Sequence, residues 1–265
     1  MTLIVLVAVL ILETFASHLA GLRNHHRIVQ YADSWQAIFD SSKQLNPWLV
    51  SFLVLLPPVV IASVLLQSQP GVFGFLFQLA VAVAIVFWSL GPKTLADFYR
   101  QQLGTEGEQG VPTNDEERAL AQGLINYAHQ GFLAVLIWLV LLGPVAALIY
   151  RVVHHLAESE RTTPEDSSNP VWQTLFHIVD WIPTRLSALL FMLTGNFATG
   201  FSAFKQEALS TDANNAQLLT DTALKSMTFE AEDVHSSLSE ARHSCERCLI
   251  LLTVLIALMS FFQLT

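Results

Sequence analysis

The sequence predicts an all-α protein, a polytopic membrane helical bundle of five or six membrane segments with interfacial and cytoplasmic helices. Two features of composition and one of pattern predict it. Of the 265 residues, 52% are hydrophobic and only 13% are charged, where a soluble domain carries about 25% charged residues. The mean hydropathy is +0.47. Apolar runs close to the roughly 20 residues a helix needs to cross a bilayer recur along the chain, and no segment carries a persuasive strand alternation. In hydrocarbon each helix satisfies its own backbone polar groups, so the natural unit is one bundle, expected as a single domain over residues 1–265. The formal net charge of −9 argues against nucleic acid, which demands concentrated Lys and Arg. The lipid bilayer is the first expected partner.

The first candidate span is "MTLIVLVAVLILETFASHLAGL", residues 1–22. It lacks the basic start and the small-residue cleavage site of a signal peptide, so a retained span is expected. Glu13 within it is expected to turn toward other helices and meet Arg185 or His18. In the polar segment that follows, Ile28, Tyr31, Trp35, Ile38 and Phe39 recur at near-helical spacing, which reads as an amphipathic helix on the membrane surface. Asn46-Pro47 opens a second span to about Leu66, and Pro57-Pro58 inside it is expected to bend or locally unwind the helix. Pro70-Gly71 turns the chain into a third span over about residues 71–91, closed by Gly91-Pro92. Gln78 there is placed to hydrogen-bond between helices.

Segments 92–130 and 198–247 are polar, helix-favouring and expected in the cytoplasm. In the first of them, Leu95, Phe98, Tyr99 and Leu103 make another interfacial helix. A Gly- and acid-rich loop then leads into a helix that Asn114 or Asp115 caps, with acidic residues at its positive end. A fourth span covers about residues 131–150, interrupted at Gly143-Pro144. A fifth apolar stretch over 171–197 and a short final one from about 249 to Phe262 complete the series. Keeping the basic groups beside spans one, three and six in the cytoplasm requires residues 172–196 to cross, or 131–150 to re-enter.

Asp180, Pro183 and Arg185 stand together in the fifth stretch, "DWIPTRLSALLFMLTG". Charged groups at such depth are costly and face a bundle interior or a wet cavity. Gln173, His177, Asp180, Thr184 and Ser187 recur at intervals of four and three, one polar stripe on a helix whose other faces carry Leu175, Ile178, Val179, Ile182 and Leu189. Arg185 flanks the stripe, and Pro183 would free the carbonyl of Val179. Two readings follow. In one, Asp180 with His177 orients a proton carrier or holds a cation, and Arg185 forks onto a phosphate or carboxylate. In the other, Asp180 and Arg185 form an ion pair that locks helices together.

Cys245 and Cys248, with His243 in "HSCERC", are soft ligands, but a structural zinc site takes four and there is no second Cys pair. On a helix the two thiols share a face and pack as small apolar groups. The adjacent pairs His25-His26 and His154-His155 diverge by about 100° on a helix and chelate poorly. GxxxxGK[ST], GxSxG and HExxH are absent, against the familiar nucleotide, esterase and metalloprotease chemistries. No metal site, cofactor or catalytic residue is assigned.

The stretch "VDWIPTRLSALL" resembles the DW[IV]P-x-RL motif shared by the AmpE membrane proteins and the CobD/CbiB synthases of the cobalamin pathway. "AVLIWLVLLGPVAALIYRVV" looks like a second block of that superfamily, and "MTLIVLVAVLILE" and "GVPTNDEE" look AmpE-like. The synthase branch joins an aminopropanol phosphate to a corrinoid acid, and its acidic "ETVAENTSDG" segment is expected just before span four. Here "INYAHQG" stands there, with Asn126 but no acid, and "GVPT" replaces the synthase "GRDT". Asp180, Trp181, Pro183 and Arg185 remain. The AmpE branch implies an inner-membrane protein of Gram-negative bacteria, linked to β-lactamase induction and peptidoglycan recycling.

The expected function is therefore an AmpE-like inner-membrane sensor or regulator. An anionic metabolite is its expected ligand, in a cleft near Asp180 and Arg185, with His177, Thr184, Trp181 and Glu13 as further candidates. Cell-wall recycling proteins are the implied partners. A ligase or transferase acting on a phosphorylated substrate is the alternative, and a transporter using the broken helices ranks below both.

Overall fold

The computed structural model describes residues 2–15, 23, 26–40, 46–67, 71–109, 114–162, 171–208, 210, 214–227 and 236–262. The expectations for His18, His25 and the Pro70 turn lie outside these residues. Among the described residues every regular element is helical: α1 Thr2–Phe15, α2 His26–Asp40, α3 Pro47–Leu65, α4 Gly71–Ser89, α5 Leu95–Gln109 and α6 Asn114–Ala128. A π-helical turn, His129–Leu133, then leads into α7 Ala134–Leu142. After these come α8 Pro144–Thr162, α9 Val171–Thr194, α10 Phe197–Glu207, α11 Asn215–Ser226 and α12 Ser236–Phe262. They fall into two compact units, residues 1–92 with 135–180, and residues 93–134 with 181–265.

In the first unit, α3 starts where Asn46 accepts a hydrogen bond from the Trp48 amide at 3.0 Å, and Pro47 fits the first helical turn because no donor is needed there. The helix runs unbroken through Pro57 and Pro58, so the pair does not unwind it. α4 opens on Gly71, whose φ of +90° is cheap only without a Cβ. Gln78 on α4 donates to the Leu66 carbonyl after α3 at 3.0 Å, the interhelical bond its position predicts. α8 is the hub: α2, α3 and α4 all pack on it, and α1 packs on α4. The core between them gathers Ile28, Ala32, Val54, Ala62, Val152, Val153, Leu156 and Trp172. The apolar side of α2 thus packs on protein, where a membrane surface was expected, and Tyr31 donates to the Val54 carbonyl.

In the second unit, α12 packs on α6 and the π turn, and α11 packs on α6 and α10. α5, also expected at an interface, lies on α6. Its Phe98 ring stacks on Tyr127 at 4.0 Å, and the Tyr127 hydroxyl donates to the Lys93 carbonyl at 2.6 Å. Asn196 and Asn214 cap α10 and α11 with their side-chain oxygens.

Among the described residues, four helices are long and apolar enough to cross a membrane: Pro47–Leu65, Gly71–Ser89, Asp115–Leu142 and Val171–Thr194. Two exposed helices and two buried ones make up this set. Only 17% of the α3 window and 11% of the α4 window are buried, against 67% for 115–142 and 50% for α9. The first pair therefore presents side chains such as Phe52, Ile61, Phe73 and Phe77 outward, as lipid-facing helices do. The fourth span is displaced from its expected 131–150. Gly143 at φ +90° separates α7 from α8, and the apolar helix extends back through the π turn instead. Residues 249–262 form the end of the longer α12 rather than a separate helix.

Candidate functional site

The polar stripe exists as a helix face on α9, which stays helical through Pro183. Proline has no amide hydrogen, so the Val179 carbonyl loses its i+4 donor. Asp180 is 3% exposed, and Thr184 and Ser187 are fully buried, while Gln173 and His177 are half-buried. Burial of an acid and two hydroxyls requires hydrogen-bond partners, and the fold supplies them.

In the first unit, the Tyr150 hydroxyl of α8 donates to the Asp180 carboxylate at 2.9 Å. Tyr150 is itself fully buried and packs against Phe176, with ring centroids 5.9 Å apart. Next to it in sequence, the buried Arg151 donates its Nε to the Ser89 carbonyl at the end of α4. Glu13, expected to meet Arg185 or His18, pairs instead with the buried Arg23. Arg23 also donates to the Gly91 carbonyl at 2.8 Å and lies 4.1 Å over the Phe87 ring. Glu13 Oε1 and Arg23 Nε make no hydrogen bond.

In the second unit, Arg185 and Trp181 come together. The guanidinium sits 4.3 Å over the Trp181 ring, a cation–π contact. Its Nε donates to the Ala208 carbonyl at 3.0 Å, and Nη1 donates to the Trp181 carbonyl and to Asn215 Oδ1. Nη2 donates to the Ser210 carbonyl at 2.9 Å. Four of the five guanidinium N–H groups thus hold neutral protein acceptors, and two of these, Ala208 and Ser210, lie between α10 and α11. The cation also complements the negative carbonyl end of α10.

Thr184 and Ser187 meet a residue the sequence reading passed over. His129, 2% exposed, opens the π turn, and such turns re-aim side chains within a helix, frequently at functional sites. Its Nδ1 lies 2.9 Å from Ser187 Oγ, and its Nε2 lies 3.4 Å from Thr184 Oγ1. A neutral imidazole donates through one nitrogen and accepts through the other, which two hydroxyls can match. Tyr150 stands in a block quoted above for its resemblance, and that is the one signal that pointed to it. His129 stands in "INYAHQG", the stretch that replaces the synthase acidic segment, and Asn215 carried no signal. Among the described residues no group of three or more His, Cys, Asp or Glu is placed to hold a metal ion.

Long apolar helices, with buried and hydrogen-bonded polar groups within each unit, define a helical membrane protein. The model of the family described as "Regulatory signalling modulator protein AmpE" matches residues 1–264, and the chain belongs to the AmpE family. It is also 23% identical over 183 residues to the cobalamin biosynthesis protein CobD of Chromobacterium violaceum. That match covers 62% of this chain and 57% of the relative, so little more than half of the relative's length is represented. No solved structure matches the chain.

Proposed function

We propose that this protein is a multi-pass regulator of the bacterial inner membrane, acting in β-lactamase induction and peptidoglycan recycling. Its five or six membrane segments would be the four long apolar helices with α1 and the end of α12. Its signal would be an anionic metabolite that engages Arg185. One observation carries this reading: a buried guanidinium is held by neutral acceptors in the 208–215 segment. A phosphate or carboxylate makes stronger, charge-assisted bonds to Arg than a neutral carbonyl does. An anion reaching Arg185 would therefore displace the Ala208, Ser210 and Asn215 contacts and release the α10–α11 connection. Asp180, held by Tyr150, and Thr184, held by His129, would keep α9 in place while that exchange occurs. Family membership supports the regulatory reading, whereas the synthase alternative rests on a distant relative and lacks the acidic segment before span four.

The test is complementation of a deletion strain, with β-lactamase induction as readout and membrane abundance matched. Wild type is expected to restore induction. Arg185→Lys, which cannot fork onto an anion as Arg does, is expected to impair it, and Asp180→Asn to do so less. Full induction by Arg185→Lys at equal abundance would remove the anion site. A deletion that leaves induction unchanged would remove the regulatory reading.

A further inference from the structure

We infer that α10 lies in the membrane–water boundary and binds phospholipid through the aromatic side that carries Phe197 and Phe201. Helix positions are about 100° apart, so Phe197, Phe201 and Phe204 share one side. A second side carries Gly200 and Ala203, which are buried, and α10 packs on α11. A third side carries Thr199, Ser202 and Gln206, all exposed. The helix thus has its protein contact already, and still leaves Phe197 48% and Phe201 44% exposed. The two rings stack on each other at 5.7 Å with an 11° tilt, so they form one continuous apolar surface.

The occupant follows from where the chain has just been. The 24 residues of α9 reach about 36 Å at about 1.5 Å each, enough to cross the roughly 30 Å hydrocarbon layer. Leu193, at its last turn, is 61% exposed. Only Gly195 and Asn196 separate that turn from Phe197, so α10 begins at the depth where α9 leaves the lipid. The exposed aromatic side follows within a few residues of the exposed end of α9, and a lipid surface is therefore its partner. Lys205, exposed, sits between the aromatic and polar sides, where a long stem can run along acyl chains while its ammonium meets a headgroup phosphate.

The experiment places nitroxide labels on single cysteines introduced at Phe197, Phe201, Ser202 and Gln206, in phosphatidylethanolamine–phosphatidylglycerol proteoliposomes. Leu193→Cys reports whether the end of α9 is in lipid, and the unsubstituted protein controls for labelling of the buried Cys245 and Cys248. Labels at 197 and 201 are expected to show a several-fold higher ratio of oxygen to nickel-chelate collision than labels at 202 and 206. Equal ratios at all four positions would put the aromatic side in water and overturn the inference. Protection of 197 and 201 from both reagents would mean that protein covers them, and would overturn it equally. A water-exposed label at 193 would instead remove the crossing of α9, and with it the premise.

Discussion

A Cβ built on Gly195 would overlap the Ser226 carbonyl oxygen, whereas one built on Gly123 meets nothing within 4 Å. The two glycines should answer substitution in opposite ways. Gly195→Ala is expected to destabilise the folded protein by about 1–3 kcal/mol through overpacking. Gly123→Ala, inside α6, should stabilise it by about 0.5–1 kcal/mol through reduced backbone entropy of the unfolded chain. Thermal unfolding in one detergent compares them, and an unchanged midpoint for Gly195→Ala would contradict the close approach. Tyr150→Phe leaves a buried carboxylate oxygen of Asp180 without its hydroxyl donor, and should cost about 1–3 kcal/mol in the same assay. What the sequence made legible at this scale was the side of α9 on which Asp180, Thr184 and Ser187 stand. Spacing along one helix identifies neighbours on that helix. It does not identify the partner helix, which is why Tyr150, His129 and Asn215 were not read.

α2 and α5 show the same limit for whole elements. Their apolar stripes were legible, but an apolar stripe fits a lipid surface and a protein core equally well, and here α2 packs on α8 and α3 while α5 packs on α6. The docking of α1 on α4 is reinforced by the pair of Glu13 with Arg23, which also reaches Gly91 beyond α4. Breaking a buried pair leaves an uncompensated charge, so Glu13→Gln or Arg23→Met should each cost about 3–5 kcal/mol. The double substitution should cost clearly less than their sum. A strictly additive double-mutant cycle would remove the coupling. On α12, both thiols are buried, and burial pushes Cys248 up to about 12 and Cys245 upward as well. Above the ordinary thiol value of 9.0, the unfolded chain loses protons that the folded chain keeps, so their contribution to stability falls as pH rises from there. Because the thiolate is the reactive form, iodoacetamide at pH 8 is expected to modify neither cysteine until the protein is denatured. Rapid alkylation of the native protein would show the α12 contact to be open.

For the molecule as a whole, composition pointed to a membrane protein, since 13% charged residues is about half the usual soluble share of about 25%, and the apolar runs made it helical. The number of crossings was less legible. Hydropathy follows length and content, so it counted residues 131–150 as one span even though the break expected at Gly143-Pro144 is there, and it gave no weight to the polar α6 that continues the 115–142 helix. The 115–142 helix takes in the end of the 92–130 segment expected in the cytoplasm, so the expectation is left to the residues before it and is tested there. A cysteine introduced at Arg100, whose side chain is 78% exposed, should react with an impermeant maleimide in inverted vesicles and stay protected in right-side-out cells. The reverse pattern would invert the orientation of the whole chain.

The backbone that leaves α9 at Asn196 comes back to the same place. The Asn196 amide donates to the Ser226 carbonyl at 2.7 Å, so residues 197–225 form an excursion whose two ends are already joined. A detour closed at its base can change in length without pulling on what lies outside it, since each doubling of a loop costs only about 0.6 kcal/mol. Because α11 is anchored on α6, the connection between α10 and α11 is the part of this excursion where a change of length disturbs the membrane helices least. It is also the socket into which a foreign reporter can be spliced, provided that the graft still offers Arg185 its acceptors.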